Sequence, residues 1–241
     1  METNFSIFKY PRGFIKILEL LFAILAFALL AGYNEKGSLT VHTTNDLEVS
    51  YSFKVRYSFG SGDYQLFNTS PIATGRNVTA GDVSGSYQSD AQFLVAMGVI
   101  SFLYILAMCL CYPLWECRLN PYRRKIFYSV DFAITGVVAF LWIIAGGVWA
   151  RGSDGVIDNI NKIYNAACSG STSCNTEKPN YSGIVAAVCF GFLNFFLWAG
   201  NVWFTFKETP FFKWKKPTLE GVDDPSTLKD EAEPTPESTH I

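Results

Sequence analysis

The sequence predicts an all-α membrane protein, with four transmembrane helices in a left-handed-type bundle and a small β-containing lumenal cap. Three observations favour this fold class. Four apolar stretches are each about 20 residues long, which as a helix spans the ~30 Å hydrocarbon core of a bilayer. Basic residues cluster at alternate ends of these stretches. Between the first two stretches, apolar and polar residues alternate as in a β-strand.

The predicted spans share long apolar runs and lie at 13–33, 91–112, 128–149 and 183–206. The fourth is the clearest, because it has no formal charge before Lys207 and Glu208. A signal peptide would also place an apolar run after a basic start such as residues 1–12. The first run is longer than the usual signal and carries Lys16 and Glu19, so we expect a retained helix.

The segments between the spans differ in pattern. In the loop 34–90, apolar residues occupy every second position from Leu47 to Phe59, which predicts a half-buried strand. Residues 38–43 are a weaker candidate for its hairpin partner. Residues 60–89 are rich in Gly, Ser and Asn and predict turns, and residues 150–182 predict a second polar loop.

The positions of lysine and arginine predict the topology. The N-terminus, the loop 113–127 and the segment after span four are basic, whereas the two longer loops mix their charges. The positive-inside rule therefore places both termini in the cytosol and the loops 34–90 and 150–182 in the lumen or outside. The acidic tail 210–241, rich in Pro, Ser and Thr, is expected to be disordered.

Several different short motifs lie in or beside the four spans. They are Gly13-Phe-Ile-Lys-Ile-Leu-Glu19, Ser89-Asp-Ala-Gln-Phe93, Phe140-Leu-Trp142, Trp149-Ala-Arg-Gly152, Phe190-Gly-Phe-Leu-Asn194 and Leu197-Trp-Ala-Gly-Asn201. Together they resemble the synaptophysin/physin family, within the wider MARVEL-domain group, over residues 13–209.

The resemblance implies a non-enzymatic integral membrane protein of synaptic or other transport vesicles. Such proteins organise vesicle membrane and regulate trafficking and exo-endocytosis through self-association and binding of cholesterol and a vesicle SNARE of synaptobrevin type. Two departures leave the vesicle type open. The loop 34–90 has no cysteine, and the tail lacks the Tyr/Gly/Gln repeats found in the family.

Cys168 and Cys174 lie close together in the second predicted lumenal loop. In an oxidising lumen we expect them to form a disulfide that closes a ring of about seven residues and stabilises the fold by roughly 2 kcal/mol. The alternative is a pair of free thiols.

Glycosylation sequons occur in the first predicted lumenal loop. Asn77 is the best acceptor and Asn68 the second. Two further sequons are poorer candidates, because Asn4 is predicted to be cytosolic and Asn180 to lie too close to the bilayer.

Four polar residues are predicted at similar depths below the cytosolic edge of the membrane. Lys16 and Asp131 lie about 5 Å inside, and Glu19 and Asn201 about 8–9 Å inside, at 1.5 Å per helical residue. Such side chains either snorkel to the interface or pair inside the bundle. Pairing would join Lys16 to Asp131 and Glu19 to Asn201.

Two sets of residues are open to alternative interpretations. Small residues in spans three and four, such as Gly136, Gly147 and Gly191, favour close packing either within one bundle or between two copies. Tryptophans 142, 149, 198 and 203 are candidates for anchors at the membrane interface, with Trp149 placed best.

The residue content argues against an enzyme. The chain has two histidines, His42 and His240, no metal-ligand spacing and no nucleophile–base pair. We therefore expect no cofactor, no metal and no nucleic-acid partner. The apolar spans predict a lipid bilayer as partner, and the family resemblance implies further copies of the chain. The alternatives are a four-helix channel or transporter, or a cell-contact protein of claudin or tetraspanin type.

Overall fold

The structure is a computed structural model that describes residues 11–43, 47–69, 85–115 and 120–209. The N-terminal residues, the predicted disordered tail and the Asn77 sequon lie outside these ranges. All four predicted spans lie within them.

Four helices form the bulk of the described chain: α1 (Pro11–Ala31), α2 (Gln88–Trp115), α3 (Pro121–Cys168) and α4 (Ser182–Glu208). Each contains a stretch long and apolar enough to cross a membrane. Helix α1 packs against α2 and α4, and α3 packs against α4 and α2. Helices α3 and α4 approach closely where Gly191 faces Gly146, since a Cβ on Gly191 would lie 3.4 Å from the Gly146 Cα. These glycines pack inside one bundle.

An antiparallel sheet of four strands lies at one end of the bundle, here called the sheet end. Its strands are β1 (Asn34–His42), β2 (Glu48–Arg56), β3 (Tyr64–Asn68) and β4 (Ser173–Glu177), in the order β3-β2-β1-β4. The register pairs Leu39 with Tyr51 and Phe53 with Leu66. The opposite end, where α1 begins and α4 ends, is called the terminal end.

The alternating segment forms β2, and the weaker candidate at 38–43 belongs to the longer strand β1, which pairs with β2 over nine residues. The prediction of turns over 60–89 was wrong at residues 64–68, which form β3. Its apolar residues Tyr64 and Leu66 are buried two positions apart, as in a strand. A strand of five residues carries too little alternation to stand out from a Gly/Ser-rich background.

The prediction of a polar loop over 150–182 was also wrong. Helix α3 continues to Cys168, and β4 follows. The extension buries Val156, Ile160, Ile163 and Tyr164, which are spaced as one face of a helix, against the sheet end. The cytosolic loop predicted at 113–127 is shorter, since α2 extends to Trp115 and α3 begins at Pro121, a residue favoured in the first helical turn.

The sheet is held to the helices by aromatic contacts. The ring of Phe53 on β2 lies 5.4 Å from that of Tyr164 on α3. Gly37 on β1 is required by this packing, because a Cβ there would collide with the Tyr164 hydroxyl and the Glu177 carbonyl. The Tyr164 hydroxyl donates to that carbonyl at 3.0 Å, which joins α3 to the end of β4.

The turn between β2 and β3 is organised by Asp63. Its carboxylate accepts hydrogen bonds from the backbone N–H groups of Ser58 and Gly60 and from the Arg56 side chain. Burial raises the pKa of Asp63, but these hydrogen bonds outweigh that effect and hold the pKa below its usual value. The turn directs Phe59, which has a left-handed φ of 63°, into the top of the helix bundle.

Three of the four tryptophans considered as interface anchors are core residues. Trp142, Trp149 and Trp198 are fully buried, and the Trp149 indole donates to the Ile184 carbonyl. The prediction that Trp149 anchors at the membrane interface was therefore wrong, because its ring packs against Phe59 instead. Trp203, the fourth candidate anchor, has 55% of its surface exposed.

Candidate functional site

A cluster of polar and aromatic side chains lies inside the bundle towards the terminal end. We call it the polar cluster, and it consists of Lys16, Glu19, Tyr104, Asp131, Trp198 and Asn201. The four residues predicted from the sequence are all buried, with exposed fractions of 3% for Lys16, 2% for Asp131 and zero for Glu19 and Asn201. None of the four extends to the bundle surface, so the structure favours pairing over snorkelling.

Lys16 forms its ion pair within α1. Its Nζ lies 3.1 Å from the Glu19 Oε2, because residues three apart share one face of a helix. The same ammonium lies 5.0 Å from the Trp198 ring centre and 5.6 Å from that of Tyr104, within cation–π distance of both. The positive charge is thus enclosed by one carboxylate and two aromatic faces.

Asp131 is tied to α2 and to its own helix. It accepts a hydrogen bond from the Tyr104 hydroxyl at 2.5 Å and faces the Thr135 hydroxyl at 3.5 Å. The predicted pairing of Lys16 with Asp131 is replaced by an indirect connection, because Tyr104 contacts Lys16 with its ring and Asp131 with its hydroxyl. Tyr104 was missed in the sequence because a tyrosine in an apolar helix is ordinary core filler.

The Asn201 amide on α4 lies beside the Glu19 carboxylate on α1. Neither its nitrogen nor its oxygen makes a hydrogen bond of good geometry to any residue in the described ranges. Asn201 therefore contacts Glu19 without a well-directed hydrogen bond from its side-chain amide to any of the described residues.

Helix α4 carries a polar stripe that extends this cluster. Asn194, Trp198 and Asn201 are buried at spacings of four and three residues, which places them on one helical face. The Asn194 amide donates to the carbonyls of Phe22 on α1 and Phe190 on α4. This spacing was visible in the sequence and could have identified Asn194 and Trp198 as neighbours of Asn201.

Cys168 and Cys174 form the predicted disulfide, with an S–S distance of 2.01 Å. The bond joins the last residue of α3 to β4, where Cys174 pairs with Val41 of β1. It therefore fastens the extended third helix to the sheet.

The predicted glycosylation sites remain predictions. Asn68 ends strand β3 opposite Tyr51, and the neighbouring Thr69 hydrogen-bonds to the Ser50 carbonyl. Asn77 lies outside the described residues.

The described residues contain no group of three His, Cys, Asp or Glu side chains that could hold a metal ion. The family model described as MARVEL, a membrane-associating domain, matches residues 8–204. That match spans all four helices and the sheet, so the chain belongs to the MARVEL family of multi-pass, membrane-associating proteins.

Proposed function

We propose that this protein is a non-enzymatic organiser of transport-vesicle membrane, of the synaptophysin/physin type within the MARVEL family. It regulates vesicle trafficking and exo-endocytosis through self-association and through binding of cholesterol and a synaptobrevin-type SNARE. The observation that carries the proposal is the family match over four membrane-crossing helices, combined with the subfamily motifs in spans one to four.

The outer faces of the bundle are suited to lipid and to other membrane helices. Large apolar side chains stand exposed on all four helices, among them Phe14, Leu103, Phe140 and Phe196 at 55–65% of their surface. In water such a surface would aggregate, whereas in a bilayer it is solvated by acyl chains, by sterol or by partner helices. This surface supports the proposed lipid and protein partners.

Helix α3 supports self-association. Gly136 and Gly147 have open space where a side chain would project, and the exposed Phe140 lies between them along the helix. Small residues on a lipid-facing surface allow the backbone of a second helix to approach closely. Gly146, by contrast, packs against α4 and is occupied within the bundle.

Leucine substitutions at these glycines test the interface. Gly136→Leu and Gly147→Leu should each reduce energy transfer between differently labelled copies in liposomes, because the added side chain separates the helices. Val185→Leu, on the exposed face of α4, is a matched control that should leave the transfer unchanged. Equal transfer in all variants would show that copies do not meet through this face of α3.

The proposed topology places the sheet in the lumen and both termini in the cytosol. Exposed Arg123 and Lys125 begin α3, and Lys207 ends α4, all at the terminal end. Protease added to sealed vesicles should remove a C-terminal tag and spare the sheet. Protection of the tag from the protease would show that the orientation is opposite to the one proposed.

The deciding experiment localises the tagged full-length chain against vesicle and plasma-membrane markers. The proposal expects co-localisation with a synaptobrevin-type SNARE on vesicles and, with a photoreactive sterol, cross-linking to the outer faces of the helices. Residence at the plasma membrane without vesicle labelling would contradict it.

A cell-contact function is the second candidate, because β3 and β4 are the outermost strands of the sheet in the described part of the chain, and the edge of a sheet is a template for pairing with another chain. Such edges can pair with a sheet from an opposing membrane. The same localisation experiment distinguishes the two functions, since adhesion requires enrichment at cell contacts.

A further inference from the structure

The polar cluster contains buried atoms whose hydrogen-bonding capacity is unused. Six such atoms lie together on α1 and α4, none with a hydrogen-bond partner within the described residues: Lys16 Nζ, Glu19 Oε1, Glu19 Oε2, Trp198 Nε1, Asn201 Nδ2 and Asn201 Oδ1. The Lys16–Glu19 contact at 3.1 Å supplies charge attraction without a directed hydrogen bond. Buried polar groups are otherwise almost always hydrogen-bonded, so this concentration calls for a further partner.

The chemistry of the six atoms specifies that partner. Three of them donate, on Lys16, Trp198 and Asn201, and three accept, two on Glu19 and one on Asn201. A ligand that fits must both donate and accept at short range. It must also be small, because Glu19, Trp198 and Asn201 have no exposed surface through which a lipid headgroup could enter.

We propose that the polar cluster is a binding site for water inside the bundle, between α1 and α4. A buried water makes two to four hydrogen bonds, and six unused polar atoms are enough to hold one or two molecules. Water bridging Glu19 to Asn201 and Trp198 would solvate the Lys16–Glu19 pair within the membrane and link the two helices through hydrogen bonds that the side chains do not make directly.

Two other buried tryptophans offer a reference in which the indole N–H is already hydrogen-bonded. Trp142 is as completely buried as Trp198, but its indole N–H donates to the Ser101 hydroxyl at 2.9 Å. Trp149 is equally buried and donates to the Ile184 carbonyl. These residues share the side chain and the burial of Trp198 and differ in having their N–H occupied.

Radiolytic hydroxyl labelling of the full-length chain in nanodiscs tests the proposal. X-ray radiolysis converts bound water into hydroxyl radicals that oxidise the side chains next to it, and mass spectrometry locates the products. We expect Trp198 to be oxidised at least several-fold faster than Trp142. Trp149 is the folding control, because slow oxidation of its buried ring shows that the sample is folded. A Trp198 rate no higher than that of Trp142 in that sample would overturn the proposal.

A variant pair connects the signal to the cluster. Asn201→Leu keeps a similar volume and removes two of the six atoms, so it should lower Trp198 oxidation towards the Trp142 rate. Val202→Leu, at the adjacent and partly buried position, is the control and should leave the rate unchanged. Unchanged Trp198 oxidation in a folded Asn201→Leu protein would show that the radicals do not arise from water held by this cluster. The wild-type comparison stands even if a variant does not fold.

Discussion

Phe59 is the residue whose removal most directly tests how the sheet is held on the helices. It lies in the turn after β2 and is fully buried. Its ring centre is 5.4 Å from those of Tyr33, at the end of α1, and Trp149, within α3. Phe59→Ala deletes a side chain that joins three elements and leaves a cavity that the rigid helices close poorly.

The expected effect follows from this burial. Truncating a buried phenylalanine to alanine typically destabilises a protein by about 3–5 kcal/mol, the sum of lost apolar burial and the cavity left behind. For a chain of this size, each kcal/mol lowers the melting temperature by about 2–4 °C. We therefore expect Phe59→Ala to lower the apparent melting temperature by about 6–20 °C.

The assay is thermal unfolding of the purified chain in detergent, followed by tryptophan fluorescence, because Trp149 reports on the same contact. Phe67→Ala is the matched control, since Phe67 belongs to the same sheet but has half of its surface exposed. It should shift the melting temperature by less than about 2 °C. Equal shifts for the two variants would refute the inference that Phe59 fastens the sheet to the bundle.

Three further predictions concern charges and the cross-link. Lys16→Met should destabilise the bundle by about 3–5 kcal/mol, because it leaves a buried carboxylate without its cation. Adding Glu19→Leu should restore most of the lost stability. Additive melting-temperature shifts for the two changes would contradict this pairing. Cys174→Ser should cost roughly 2 kcal/mol and make Cys168 reactive to an impermeant thiol reagent without reductant, and a reagent-accessible wild-type pair would argue against the bond. Because the folded pKa of Asp63 is lowered, its contribution is present above the unfolded value of 3.8 and lost as pH falls further. Melting temperature should therefore not respond to Asp63 between pH 7 and pH 5, and Asp63→Asn should remove the part of the decline below about pH 4 that is due to this group.

Sequence patterns identified the membrane helices because an uninterrupted run of about twenty apolar residues is rare outside a membrane span. They identified β2 for a similar reason, since seven alternating positions exclude a helix. The ends of the elements were harder to predict. The extension of α3 from 150 to 168 contains Asp154, Asp158 and Lys162, and charged residues at this density are typical of a polar loop. The helix is explained by the burial of Val156 and Ile160 beneath the sheet, which the sequence alone does not reveal.

The polar cluster was only partly predictable. Depth along each helix placed Lys16, Glu19, Asp131 and Asn201 at one level, and the structure buries all four there. Depth does not determine which way each side chain faces around its helix. The Lys16–Glu19 pair depends on that rotation, and so does the position of Tyr104 between Lys16 and Asp131.

In the fourth span, the residues that carry the subfamily resemblance include Asn194, Trp198 and Asn201, which are fully buried inside the bundle. The Phe190 ring is 5.7 Å from that of Phe22, and Asn194 donates to the Phe22 carbonyl, so the fourth-span motif forms the contact between α1 and α4. Such motifs specify how the helices pack. Partners must be recognised on surfaces that the bundle leaves open, such as α3 around Gly136 and Gly147. Gly147→Leu should therefore reduce self-association while preserving the fold. Phe59→Ala should lower the melting temperature while leaving self-association unchanged. If the two variants failed together in both assays, packing and partner recognition would share the same residues.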